Sequence, residues 1–381
     1  MLARWRRFRF RLFVALGLVM VLAAGALVWV SLASDDSRGQ AYCWGSLGSK
    51  DLGVMNPYNG GKYRARDDST PLSVKGGKLR EYPSCDVYWE GNGNTSYHLA
   101  SVQVRPSDLG WPWGKDAVRN TRAQFGVVSP AGPGLPAWTS VDQTEDKIPA
   151  HAELRLPGAC RKVFHTGKYG VRLSLTLRAR QDRVWDDATT RRQMAKVVTR
   201  IAAHLTKEHH CGDGTSYKYD LDAHVSASFE KMPPGKACGL SGFSPLTSFE
   251  KDAVWQRVAG ELDDTWSCVA VRSDGNPLGG PSEEDSLNEG TTLSAFTVTS
   301  NRRYLEGFKK SHGRTYADEE EGTRSKVMRC GGEEYLLQVM YPGSESDQDA
   351  IRKYSEKHQA GPDSLVKRFE GSVRRALKCE K

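Results

Sequence analysis

Twenty-two consecutive residues, Leu12 to Ala33 (LFVALGLVMVLAAGALVWVSLA), carry no charge. As a helix rising ~1.5 Å per residue they span roughly 33 Å, enough to cross a hydrocarbon core of ~30 Å. Five arginines precede the run (Arg4, Arg6, Arg7, Arg9 and Arg11) and no acid does. Lys and Arg concentrate on the cytoplasmic flank of membrane helices. The sequence therefore predicts a cytoplasmic tail over 1–11, a single-pass membrane anchor over 12–33 and an extracytoplasmic remainder. A basic stretch before an apolar run also describes a secretory signal, with Ser31-Leu32-Ala33 as a cleavage site before Ser34. Signal cores run about 7–15 residues, so length favours the uncleaved anchor. Both readings place everything after Ala33 outside the cytoplasm, in the cell envelope.

That direction decides how the cysteines are read. All eight lie beyond the apolar run: Cys43, Cys85, Cys160, Cys211, Cys238, Cys268, Cys330 and Cys379. An even number in an oxidising compartment reads as structural disulfides. No C-x-x-C occurs, which argues against zinc ribbons and thioredoxin-like chemistry.

The cysteines fall into two sets of four, spaced 42, 75 and 51 residues apart in the first and 30, 62 and 49 in the second. Their contexts repeat. The first of each set opens a small turn, Cys43-Trp44-Gly45 and Cys238-Gly239-Leu240. The second follows a serine and enters a strand, at Ser84-Cys85 and Ser267-Cys268. The third precedes a period-two strand, with Val171, Leu173, Leu175 and Leu177 in one set and Tyr335, Leu337, Val339 and Tyr341 in the other. Such alternation predicts one buried and one wet face. The fourth closes an amphipathic helix, starting near Asp187 with Met194, Val197, Ile201 and Leu205 on its face, or at Pro362 with Leu365, Phe369, Val373 and Leu377. The helices register imperfectly, because Cys211 lies six residues past Leu205 and Cys379 two past Leu377. A tandem duplication accounts for this pattern better than one large domain with scattered cysteines. Domain 1 is placed at 34–229, a linker at 230–237 around Pro233-Pro234-Gly235, and domain 2 at 238–381. Ser216 to Phe229 alternates as one long strand, and Gly60–Gly77 and Gly275–Gly290 read as loops.

The cysteine turn, the cysteine strand, the third-cysteine strand and the final helix together resemble an exported actinobacterial domain family of unknown function. That family occurs in small lipoproteins and is similar to the extracellular sensor domain of some mycobacterial serine/threonine kinases. The resemblance implies an α+β fold, an antiparallel sheet with packed helices, and a binding or sensing role. It supplies no catalytic residues. Confining disulfides to each half leaves nine pairings, of which Cys43–Cys85, Cys160–Cys211, Cys238–Cys268 and Cys330–Cys379 is favoured, stapling each final helix to the strand before it.

Chemistry is less legible. The net charge is +8, but five of those charges are the arginines before the anchor, leaving +3 for the remainder and no basic-aromatic run for nucleic acid. There is no H-E-x-x-H, G-x-S-x-G or P-loop, and no G-x-G-x-x-G after a strand. His204, His209, His210 and Cys211 suggest a metal, but adjacent histidines diverge on a helix and the spacing fits no common zinc site. No metal or cofactor is assigned. Trp111 and Trp113, flanking Pro112, offer rings for stacking on a ligand, against the alternative that they cover the core. The leading reading is a non-enzymatic envelope binding or sensor-like protein with its site in the cleft between halves. An exported cell-wall hydrolase and a structural subunit of a membrane complex are the alternatives.

Overall fold

The computed structural model describes residues 41–56, 62–68, 83–91, 96–107, 129–141 without 133, 147–166, 170–180, 187–214, 217, 229–246, 254–272, 291–313, 315–318, 322–341 and 359–379. Residues 1–33, expected to hold the tail and anchor, together with Trp111, Trp113, the expected loop at 275–290 and most of 216–228, lie outside the described residues. Among the described residues no helix is long and apolar enough to cross a membrane.

The first half builds a seven-stranded antiparallel sheet. Its strands are β1 (Lys62–Asp68), β2 (Ser84–Glu90), β3 (Ser96–Ser107), β4 (Ser129–Pro130), β5 (Ala137–Val141), β6 (Lys147–Arg155) and β7 (Gly170–Arg180). Their spatial order is β1-β2-β3-β7-β6-β5-β4. Helix α1 (Ser49–Met55), the short α2 (Cys160–Val163) and the long α3 (Asp187–Glu208) complete this half. The second half has β8 (Glu230–Lys231), β9 (Val254–Gly260), β10 (Thr265–Arg272), β11 (Thr291–Thr299), α4 (Arg302–His312), β12 (Thr315–Asp318), β13 (Thr323–Cys330), β14 (Glu333–Met340) and α5 (Pro362–Ala376). Its sheet runs β8-β9-β10-β11-β14-β13-β12. Without the two-residue edge strands β4 and β8, both sheets follow one plan. Three strands form a meander, and the next three return in reverse order from the far edge.

The disulfides fit that plan. Cys43–Cys85 and Cys238–Cys268 each tie a left-handed turn to the second strand, and Cys160–Cys211 and Cys330–Cys379 each tie the end of the last helix to the segment before the last long strand. All eight cysteines are paired as the sequence favoured. The helix ends match more closely than their sequences suggested. His210 and Lys378 both adopt positive φ, of 49° and 54°. Cys211 N–H then donates to Thr206 O at 3.0 Å and Cys379 N–H to Arg374 O at 2.9 Å. This is the six-to-one closure of a helix C-cap, satisfying carbonyls the helix leaves open. The position equivalent to Leu205 is therefore Val373, six residues before its cysteine, not Leu377.

Helix α3 buries Met194, Val197, Ile201 and Leu205 against Val102, Leu154, Leu173 and Leu175 of the first sheet. Helix α5 buries Leu365, Phe369 and Val373 against Phe243, Trp266, Phe296 and Leu337 of the second. Three expectations are corrected. The segment inside Gly60–Gly77 is not all loop, because Lys62–Asp68 pairs with β2 in full register. Strand β14 has no wet face, since Leu336 and Met340 are covered by Tyr304, Leu305 and Phe308 of α4. Glu230 and Lys231 are not part of a free linker, because they pair with Gln256 and Trp255 at the edge of the second sheet.

The halves meet on the sheet faces opposite α3 and α5. Trp138, on the β5 face turned away from α3, is 4% exposed and packs with Ala259, Val269, Ala295, Tyr304, Leu305 and Phe308 of the second half. Helices α3 and α5 thus cover the two faces turned away from this seam.

Candidate binding site at the seam

Alternation along β6 sends Ala150, Ala152 and Leu154 into the core under α3, so His151, Glu153 and Arg155 emerge on the seam face. In register, Arg155 lies opposite Arg172 of β7, and Arg172 opposite Arg105 of β3. Three like charges on adjacent strands repel one another. Glu153 relieves part of this through Arg172 Nη1 at 3.4 Å, both side chains being largely buried. Arg155 reaches across the seam, with Nη1 donating to Arg303 O at 3.2 Å and its guanidinium lying 5.2 Å over the Tyr304 ring. Arg303 Nη1 returns a bond to Arg155 O at 3.2 Å, and its Nη2 holds Asp213 at 2.5 Å. Gly307 sits one turn beyond Arg303, and a Cβ there would overlap the Arg155 guanidinium.

A second set of bonds closes the other side of the seam. Gly134 N–H donates to Asp264 Oδ2 at 3.1 Å, and Asn301 Nδ2 donates to Gly134 O at 2.9 Å. Asn301 also caps α4, its Oδ1 accepting from Arg303 N–H at 3.1 Å. The cap residue of a second-half helix is thereby fixed by a first-half backbone. Burial raises the Asp264 pKa, against the opposing pull of the Gly134 N–H.

Beside Arg303 opens a cavity of about 300 Å³, lined by Ala203, Thr206, Lys207, Gly212, Asp213, Gly214 and Tyr217. It lies at the lower end of small-molecule pocket volumes, roughly 300–1,000 Å³. Its polar groups are an ammonium, a carboxylate and a phenol, with the Arg303 guanidinium bonded to the carboxylate. Burial is the main cause raising the Tyr217 pKa, so the phenol stays protonated at neutral pH. That set suits a small polar ligand bearing both a donor and an anionic group.

Farther out on the same face of the first sheet, Asp86, His98 and Ser101 come together. Ser101 Oγ donates to Asp86 Oδ1, and His98 Nε2 lies 3.2 Å from each of those oxygens. A nucleophilic relay needs one imidazole nitrogen for the serine and the other for the acid. Here one nitrogen faces both and the serine already donates to the carboxylate, so this geometry tethers β2 to β3.

The histidine cluster of the sequence is structural. Cys211 is bridged to Cys160, His204 Nε2 bonds Trp44 O at 2.9 Å, and His209 meets the edge of Phe164 at 5.2 Å. Among the described residues no group of three or more potential ligands is placed to hold a metal. The seam residues were not singled out in the sequence. Arg155 and Arg303 stand 148 positions apart, and no local pattern links them. Compared with family models, with curated proteins and with solved structures, the chain finds no match.

One seam residue carries a pH signature. His151 Nδ1 lies 3.0 Å from Thr176 Oγ1 under the Trp138 ring. Burial first, then the charges of Arg172 and Arg105, lower its pKa to about 4. The folded protein keeps His151 neutral while the unfolded chain, near 6.5, takes up a proton. Stability is therefore lost as pH falls from about 6.5 to about 4, because the unfolded state binds more protons there. His151→Gln is expected to flatten that slope. Urea midpoints at pH 7.5, 6 and 4.5 for both proteins test it, and parallel curves would remove His151 as the cause.

Proposed function

We propose that this chain is a non-enzymatic binding or sensor-like protein of the cell envelope, held by one membrane helix over 12–33 with residues 34–381 outside. What supports this is the pairing of all eight cysteines within two similarly ordered sheets, an arrangement that persists where thiols are oxidised. The ligand or partner enters at the cavity beside Arg303, which is lined by first-half residues and whose Asp213 is held by Arg303 of the second half, so a binding event there changes how the halves are held together. The shared strand order extends this to a tandem duplication.

Two measurements test the reading. An enzymatic reporter active only in the cytoplasm, fused after Lys381, is expected to be silent, and activity would overturn the topology. Thermal denaturation with a panel of small carboxylated amino sugars and peptides from hydrolysed cell wall is expected to show a ligand that raises the midpoint. Asp213→Ala with Tyr217→Phe is expected to abolish that rise. A rise unchanged in the double variant would place the site elsewhere.

A further inference from the structure

From the outer face of α3 we infer that the first half lies on the membrane that anchors it, with this helix against anionic lipid headgroups. The inference rests on the proposed anchor. Three observations carry it.

The first is where the described chain begins. Ala33 ends the apolar run, and among the described residues Tyr42 is the first bonded to another segment, its N–H and C=O paired with Leu47. The nine steps between them reach at most about 30 Å even fully extended. The turn after Tyr42 is fixed to α3, because His204 Nε2 bonds Trp44 O at 2.9 Å and Arg200 Nη1 bonds Asp51 of α1 at 2.6 Å. The tether is thus rooted on the α3 layer, and that layer is held close to the bilayer.

The second is the charge of that layer. With Met194, Val197, Ile201 and Leu205 buried, α3 turns Arg192, Lys196, Arg200, Ala203 and Lys207 outward. These positions step by three or four and form one stripe. Arg192, Arg200, Ala203 and Lys207 are exposed, Lys196 is half-buried, and within the helix no acid joins the stripe before Glu208, while Arg200 also holds Asp51 of α1. The third is that the outward side of α3 carries four Lys or Arg, Arg191 being buried on Thr139 O, against Glu208 and the Asp51 carboxylate paired with Arg200. That side keeps a net positive charge facing away from the core.

Helix α5 supplies the control. It also turns cations outward, at Lys367, Arg368 and Arg375, with Lys378 in the turn just after it, but it lies on the face beyond the second sheet. Positive charge alone would make the two helices behave alike, whereas docking set by the tether separates them.

The test is lysine footprinting of the full chain in vesicles of phosphatidylcholine, with or without about 30 mol% phosphatidylglycerol. An amine-reactive reagent is applied and the labelled lysines are read by mass spectrometry. One cation near an anionic leaflet is worth about a five-fold gain in bound over free. Lys196 and Lys207 are expected to label about five-fold more slowly in the anionic vesicles, and to recover near 1 M salt, where the Debye length falls to about 3 Å. Lys367 and Lys378 are expected to label equally in both. Arg192→Glu, an exposed change, is expected to restore Lys196 labelling. Retention in the vesicles through alkaline washing with unchanged labelling would overturn docking alone. Equal slowing on α5 would overturn it too, as general attraction. Loss of the chain on washing would end the anchor reading and docking with it. Protection in whole cells but not in anionic vesicles would overturn lipid as the occupant and assign the stripe to an anionic envelope polymer.

Discussion

Replacing Cys160 and Cys211 together by alanine is expected to destabilise the folded protein by about 4 kcal/mol. The bridge closes a loop of 51 residues, and loop-closure entropy of that length gives an effect of this size, about 4 kcal/mol, through the unfolded chain. Both residues are buried, at 0% and 2% exposure, so lost packing adds to the entropic effect. The bridge also fixes the C-cap of α3, whose Cys211 N–H satisfies Thr206 O, and through it the floor of the seam cavity at Gly212 and Asp213. Urea unfolding followed by tryptophan fluorescence measures the change. With both halves melting together, a unit of about 350 residues should also lose roughly 5–6 °C of melting temperature. The double variant is the informative one, since a single replacement leaves a thiol free to exchange with the other bridges. A loss below about 1 kcal/mol would mean that the unfolded chain is already restricted without this bridge.

The disulfide pairing was legible because position, context and compartment all pointed one way. A turn, a strand, the segment before a second strand and a helix end each carried a cysteine twice, and a staple from helix end to preceding segment was the short route in both halves. The faces of α3 and α5 were legible for a similar reason, since Met194 to Leu205 and Leu365 to Val373 repeat at helical spacing. Strand β1 was missed because its residues look soluble. Lys62, Arg64 and Arg66 alternate with Tyr63 and Ala65, but the strand is a sheet edge, where charge is favoured because it deters pairing with other chains. The flanking glycines then suggested a loop. Strand β14 was misjudged because period-two alternation shows which face is core, while burial of the other face depends on α4, inserted from elsewhere in the chain. The site was least legible of all. Arg155 and Arg303, and Arg303 and Asp213, share a place only because the two sheets pack through Trp138, and the interval between them carries no periodic signal.

Phe369→Ala is expected to cost about 3–5 kcal/mol, the range for a fully buried aromatic truncated in a packed core. Phe369 is 0% exposed and its ring lies 5.2 Å from Phe296, 5.5 Å from Phe243 and 6.0 Å from Trp266. These rings come from three separate segments, so the space left by alanine is walled by groups that other contacts already hold, and it closes little. The same variant asks how the halves are joined. The seam buries Trp138 among residues of the second half, fixes the α4 cap through Gly134, and exchanges two bonds between Arg155 and Arg303. Contacts of that number and burial should make the halves melt as one unit. Calorimetry of Phe369→Ala is then expected to show a single transition moved to lower temperature, and the Cys160, Cys211 double variant should move that same transition although its lesion lies in the other sheet. Trp138→Ala is expected to split it in two, because it removes the apolar centre of the seam and leaves each core intact. Two transitions already present in the unmodified protein, with Phe369→Ala moving only one, would mean that the seam is a contact between independently stable halves. Ligand entry would then need no unfolding to part them, and rigid movement of one half against the other would draw Arg303 away from Asp213 beside the cavity.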